Sequence, residues 1–439
     1  MFFRDDNLNA NTFFNNRRKY SPIFPAPLPD TNALYNRLPF TEYNPGFTLS
    51  GPVFLPKIYN GKDKTFFSIG YEYLNLQDTT FINTYVPLIS NPLYPLPQPN
   101  GTCPIAACID ATSSPTVAIA PYTALYPTPN LNNIFTVKLD QIISDENNFT
   151  IGYQSGRRKN RRTTSASITR LDDALQARTT DSDAINFTDN HVFNSRIVNQ
   201  FRFQYSIFEP NYQTDTPDAP VVLIGYRNPE TGGSQTLIAG NSTASGGNNE
   251  TFPQNRRETR FQYQDSMTFV LGKNTLKFGA DVQTIRSKAK ELTDATGTFN
   301  FSNVGAFQQN TLSRFRLNFG TGSDVKNTYW SGFINDESKV KQTLTLNFGV
   351  RYERETSVDD TNNFGPRIGI AWSPFKDNKG VIRFGSGIFY NRTLLRTIAD
   401  FIQNSNGVIP FDTSTIGTSA ADNRRIAILA AIAGRFPNS

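Results

Sequence analysis

The chain has 439 residues, 37% of them hydrophobic and 13% aromatic, with 36 Phe and 18 Tyr against 2 Met and 2 Trp, and a formal charge of +6. A mean hydropathy of −0.44 excludes a helical membrane protein, and the longest apolar helical stretch, residues 426–433 (IAILAAIA), falls far short of the roughly 20 residues that cross a bilayer. The basic residues are scattered along the chain, which argues against nucleic acid as the partner.

Residues 1–45 are rich in Asn and Pro and predict irregular backbone. MFFRDDNLNANTFF has no basic segment followed by an apolar one, so no export signal is visible, and a barrel reading then implies part of a longer protein. Residues 47–54 and 65–76 predict the first strand pair, because Phe67, Ile69, Tyr71 and Tyr73 alternate with Ser68, Gly70 and Glu72. From 77 to about 133 the chain is Pro-rich and predicts a long loop without regular structure. Within it, Cys103 and Cys108 are close enough to close a small disulfide ring in an exported protein. A metal site there is disfavoured, since the single histidine, His191, is far away in sequence.

A hairpin follows, with Phe135, Val137 and Leu139 on one strand and Phe149, Ile151 and Tyr153 on the other. Residues 156–181 predict a loop whose basic run, Arg157-Arg158-Lys159-Asn160-Arg161-Arg162, reads as a solvated face toward anionic lipopolysaccharide. A strand near 184–188, a turn at His191 and a strong strand through Phe201, Phe203 and Tyr205 come next. Residues 209–258 predict a second long loop, and its pairs Gly232-Gly233 and Gly246-Gly247 precede no helix that would cradle phosphate. Phe261, Tyr263, Met267 and Phe269 lead through a turn at 271–274 to Leu276, Phe278, Ala280 and Val282, and a third long connection runs from about 287 to 327.

The clearest pattern lies in residues 329–390. Leu344, Leu346, Phe348, Val350 and Tyr352 alternate with Thr345, Asn347, Gly349, Arg351 and Glu353, and Ile368, Ile370 and Trp372, then Ile382, Phe384, Ile388 and Tyr390, repeat the theme. The connections at 337–341, 355–363 and 374–380 are tight, long and tight. In lipid every backbone polar group must be paired, which leaves closed barrels as the only spanning sheets, apolar outside and polar inside. About twelve strands of roughly ten residues, with short and long connections in turn, predict an all-β, antiparallel transmembrane β-barrel with long extracellular loops and short periplasmic turns.

YWSGFINDESKVKQTLTLNFGVRYERE, NNFGPRIGIAWSPF and GVIRFGSGIFYNR resemble the barrel half of TonB-dependent outer-membrane receptors, particularly the Oar-like type, as do FFRDDNLNANTFFNN and FTLSGPVFLPKIYNGKDKTFFSIGYEY. Asn335 and Ser338 stand where that family usually has Gln and Trp. The resemblance implies an incomplete part of a barrel of about twenty-two strands in the outer membrane, an N-terminal plug and a motif that contacts TonB. On that reading 1–45 follows a missing plug, 46–391 is partial barrel, and 392–439 is loop or a disrupted C-terminal segment. TonB would be reached only through the missing N-terminal region. The implied function is uptake of an unidentified ligand, with outer-membrane lipid and lipopolysaccharide as neighbours. Candidate loop contacts, chosen for position and chemistry, are Tyr122, Tyr126, Tyr212, Tyr226, Asp359 and Asp360. Asp359-Asp360 alone offers too few ligands for a hard cation, and no cofactor is implied. Two rival readings are a passive, structural or adhesive barrel without TonB, and a soluble all-β repeat protein or secreted hydrolase. The hydrolase lacks support: no G-x-S-x-G or zinc motif occurs, and one histidine leaves little acid–base chemistry.

Overall fold

The computed structural model describes residues 2–10, 37–162, 169–240, 254–291, 294–320, 322–375, 379–406, 409–416 and 423–438. The chain enters through β1 (Phe2–Asp5), β2 (Thr41–Asn44) and β3 (Gly46–Pro52), so parts of the first 45 residues are strand where irregular backbone was expected. A small tab of β4 (Phe54–Leu55) and β5 (Tyr59–Asn60) precedes β6 (Thr65–Gln77). Next come β7 (Thr79–Pro87), β8 (Ile109–Asp110) and β9 (Val117–Pro127), in a loop expected to lack regular structure. Four long strands follow: β10 (Asn130–Ser144), β11 (Asn147–Arg162), β12 (Gln176–Asn194) and β13 (Ile197–Thr214). β14 (Val221–Arg227) and β15 (Ser234–Gly240) occupy the next loop, ahead of β16 (Gln254–Leu271) and β17 (Asn274–Glu291). The third loop holds β18 (Thr298–Phe301), α1 (Val304–Gln308) and β19 (Arg314–Phe319). β20 (Ser323–Lys341), β21 (Leu344–Glu355), β22 (Phe364–Trp372) and β23 (Ile382–Gly387) complete the large sheet. The chain ends through α2 (Leu395–Asn406), β24 (Ile409–Asp412) and α3 (Asn423–Ala433), within the stretch read from sequence as loop or a disrupted C-terminal segment.

The wall is a 14-stranded antiparallel sheet in the order β1-β2-β6-β10-β11-β12-β13-β16-β17-β20-β21-β22-β23, with β3 also paired to β6. Among the described residues it is open, with β1 and β23 at its edges. Registers place Phe67, Leu139, Ile151, Phe187, Phe203, Tyr263, Val282 and Trp330 opposite one another in one unbroken apolar row. Whether such rows meet lipid or a protein core is decided by exposure. Phe348 is 47% and Val350 38% exposed, so the apolar face is the outer surface of the wall. The other face is polar, with Gln262 and Gln264 donating to Asp281 across two strands.

The wall strands reach 19 residues, well beyond the ten expected, because cross-strand pairing continues past the apolar alternation. The basic run at 157–162 therefore lies in β11, not in a loop: Arg157 contacts Asp183 at 2.8 Å across the ladder to β12. Residues 337–341 belong to β20, and the turn is at 342–343. His191 lies within β12 opposite Asn147, whose amide is 3.1 Å from its Nδ1, and the turn is at 195–196. Tyr212 belongs to β13. Gly272 opens the two-residue turn between β16 and β17 with φ 63°, a conformation that suits glycine and the twist of a hairpin.

Candidate functional site

Two-residue turns join β10 to β11, β12 to β13, β16 to β17 and β20 to β21 at one end of the wall, and the long connections leave the other. Those connections fold together into a cap. β15-β14-β18-β19-β24 form a five-stranded sheet and β7-β9-β8 a three-stranded one. Val222, Ile224 and Tyr226 alternate along β14 and point into a core with Phe299, Phe301, Phe307 and Phe315. Phe436, beyond α3, seals it, with ring centroids 5.0 Å from Phe299 and 5.3 Å from Phe301. This is the protein's main buried hydrophobic cluster among the described residues, and it lies in the loops.

Asp110, fully buried, joins three of those segments. Its carboxylate accepts from the hydroxyls of Thr112 (2.6 Å) and Ser113 (2.7 Å), from the Arg227 N–H (3.2 Å) and from the Val304 N–H (3.0 Å) at the start of α1. Burial alone would raise its pKa, but these donors outweigh it and hold the carboxyl below its ordinary range. Asp173 is the opposite case. Burial pushes its carboxyl up, although Tyr94 donates its hydroxyl at 2.9 Å and Gly240 its N–H at 3.0 Å. Gly240 has φ 76°, and a Cβ there would sit 1.9 Å from the Pro220 carbonyl oxygen, so no side chain fits. At the rim, Arg161 of β11 bridges wall to cap, 2.8 Å from Asp172 and 2.6 Å from Asp215.

The sequence-chosen residues scatter across this architecture. Tyr122 and Tyr126 meet on β9 with hydroxyls 2.7 Å apart, and burial together with this contact and the nearby Asp172 and Asp173 pushes the Tyr126 phenol up. Tyr226 is 3% exposed, bonded to Thr84 and Gln235 inside the cap, so it is a core residue and not a loop contact. Tyr212 lies at the upper end of β13 under the Arg178 guanidinium, 4.9 Å from its centroid. Asp359 and Asp360 are exposed in the connection between β21 and β22, apart from the cap core. Cys103 and Cys108 form a disulfide. No group of three or more His, Cys, Asp and Glu able to hold a metal occurs among the described residues. Asp110 and Asp173 were not singled out in sequence, because their partners lie in other segments; Arg161 was noted only as part of the basic run, without its carboxylate partners.

A family model described as an outer membrane beta barrel domain matches residues 1–362 and 354–438. The chain belongs to that family. The chain is therefore an outer-membrane protein of β-barrel type. Among solved structures it is similar to the outer membrane transporter YddB from Escherichia coli, with TM-score 0.55 and 11% identity, covering 84% of this chain and 41% of that one. FpvA of Pseudomonas aeruginosa, in complex with heterologous pyoverdines, gives TM-score 0.43 and 9% identity over 77% of this chain and 39% of its own. The siderophore receptor PirA from Acinetobacter baumannii gives 0.43 and 13% over the same shares. The chain thus spans less than half the length of these relatives. No curated protein sequence matches it.

Inside the barrel, the segment after β23 turns back across the polar face. Arg392 stacks its guanidinium 3.7 Å from the Tyr329 ring centroid and donates to Gln283, while Thr393 bonds Glu355. α2 then packs against β20, with Leu395, Ile398 and Ala399 at helical spacing on its less exposed side and Phe401 exposed.

Proposed function

We propose that the barrel is the wall and extracellular cap of a TonB-dependent type receptor that takes up a ligand across the outer membrane by binding and passage, without catalysis. The observation that carries this reading is the cap: connections from separate hairpins share one aromatic core at the long-loop end, where a solute arrives. Its seam with the wall, at Tyr122, Tyr126, Arg161, Asp172 and Asp215, offers paired phenols and charged groups for a polar ligand. The contact with TonB is assigned to a plug-type segment, and the wall with the loops it carries to residues 46–391 together with β1 and β2 before them.

The test compares small-molecule content of cells making the complete gene product with cells lacking it, each with and without TonB. A compound that accumulates only when both are present supports the reading. Equal accumulation without TonB replaces it with a passive barrel, and no barrel-dependent compound replaces it with a structural or adhesive one.

A further inference from the structure

On the polar face of the wall, Arg392 is held by groups that the wall positions without it. Asp281, Gln283, Tyr329 and Ser331 are buried on that face and alternate with the exposed Val282 and Trp330 of the outer one. Asp281 accepts from the Gln262 amide at 3.0 Å and from the Gln264 amide at 3.3 Å. Gln283 gives its own amide to Gln262 at 3.2 Å, which leaves its side-chain oxygen for a donor from elsewhere. Arg351 donates to the Tyr329 hydroxyl at 3.2 Å and to Ser331 at 2.6 Å, and so fixes the ring.

Arg392 fills the opening that these groups frame. Its guanidinium lies 3.7 Å from the Tyr329 ring centroid, donates to the Gln283 oxygen and stands 3.6 Å from the Asp281 carboxylate. An aromatic face, an amide oxygen and a carboxylate are what a planar cation with donors along its edge requires. About 30 Å³ remains between Arg392, Tyr329, Glu353 and Glu355, room for about one water, so the site is filled. Occupant and receptor differ in burial: the Asp281 side chain is 9% exposed and that of Arg392 45%. The carboxylate is fixed in the wall, whereas the cation arrives on a connection and is open to solutes in the lumen. Without a cation, Asp281 would be a nearly buried charge with only amides as partners, a costly state.

We propose that this is a guanidinium site of the lumen with Arg392 as its built-in occupant, and that a solute carrying a guanidinium group, such as an arginyl peptide, takes the place of Arg392. The exchange frees the segment that follows, because Thr393, which donates its N–H to Glu355 at 3.0 Å, and α2, which packs on β20, are seated through the same stretch of chain. An ammonium ligand is a weaker substitute, since a point charge cannot stack on the ring and reach both acceptors with a planar fork. The use of the site in uptake rests on the receptor reading; the exchange of one guanidinium for another does not.

The test titrates the purified complete protein in detergent with N-acetyl-arginine amide and with N-acetyl-citrulline amide, which has the same shape and no charge, while hydrogen exchange is followed at the Thr393 N–H. In the parent, the arginine compound speeds that exchange and the citrulline compound does not. In R392Q the exchange is about tenfold faster without any addition, and the arginine compound binds on the order of tenfold tighter, because the site no longer has to be vacated. Adding Y329L or D281N to R392Q weakens that binding about tenfold each. K326Q, which loses a cation from the outer face of β20, behaves as the parent does. Binding to R392Q no tighter than to the parent, equal binding of the citrulline compound, or binding that leaves Thr393 exchange unchanged overturns the proposal. Heat-modifiable migration of each variant shows that the wall is intact. Tight binding to R392Q in a protein whose cells accumulate no compound upholds the site and removes the receptor reading, so the two failures are told apart.

Discussion

At the scale of single residues, the cap depends on a few buried polar groups whose partners come from distant parts of the chain. Asp110 accepts from Ser113 nearby and from Arg227 and Val304 far along the sequence. Removing its carboxylate leaves those donors buried and unpaired, each a loss of about 1 to 3 kcal/mol. Asp110→Ala should destabilise the cap by roughly 3 kcal/mol in total, read as faster hydrogen exchange at Val304 and Arg227 with wall amides unchanged. Unchanged cap exchange would show that Asp110 is not the joint it looks to be. Nothing in the local sequence IDATSS marks this role, because a short-range turn acid and a three-segment joint look alike until the segments meet.

At the scale of elements, β24 is attached to β19 through Arg314, whose guanidinium grips the Asp412 carboxylate. Burial opposes ionisation of Asp412, but Arg314 and the Ser414 N–H prevail and lower its pKa from 3.8 to about 2. A carboxyl depressed in the folded state contributes stability that is complete above its unfolded pKa and is lost as pH falls through its folded one. The attachment of β24 should therefore weaken between about pH 4 and pH 2, seen as rising exchange at Phe411 and Asp412, and Asp412→Asn should remove that pH dependence. A transition unchanged by the substitution would place the acid-sensitive group elsewhere. The strands of the wall were legible element by element, since Leu344 to Tyr352 alternates without a break. Their upper ends were not: Arg157 and Arg161 read as loop because the ladder to β12 continues there without apolar alternation, with Arg157 paired to Asp183 of β12 and Arg161 to Asp172 just before it.

At the scale of the molecule, the outward face and the lumen tolerate different chemistry. An Arg in the middle of the outer face costs about 2 to 4 kcal/mol at the bilayer midplane and far less on the polar side. Val350→Arg should reduce membrane insertion, measured as the heat-modifiable fraction, while Asn347→Arg on the inner face should leave it close to the parent. Equal effects would mean that the two faces are not in different solvents. Among the described residues β23 stands at one edge of the sheet, and its outer N–H and C=O groups are ones that lipid cannot satisfy.

The sequence by itself determined the sheet, its two faces and its compartment, because alternation along a strand is local and each residue declares its face through its neighbours. It did not determine the cap. Residues 77–133, 209–258 and 287–327 carry short apolar runs broken by Pro and Gly, and each run is too small to bury itself. Only when the wall holds them at one end do Val222, Phe299, Phe315 and Phe436 find one another, and the core they make is a property of that meeting and of no segment alone.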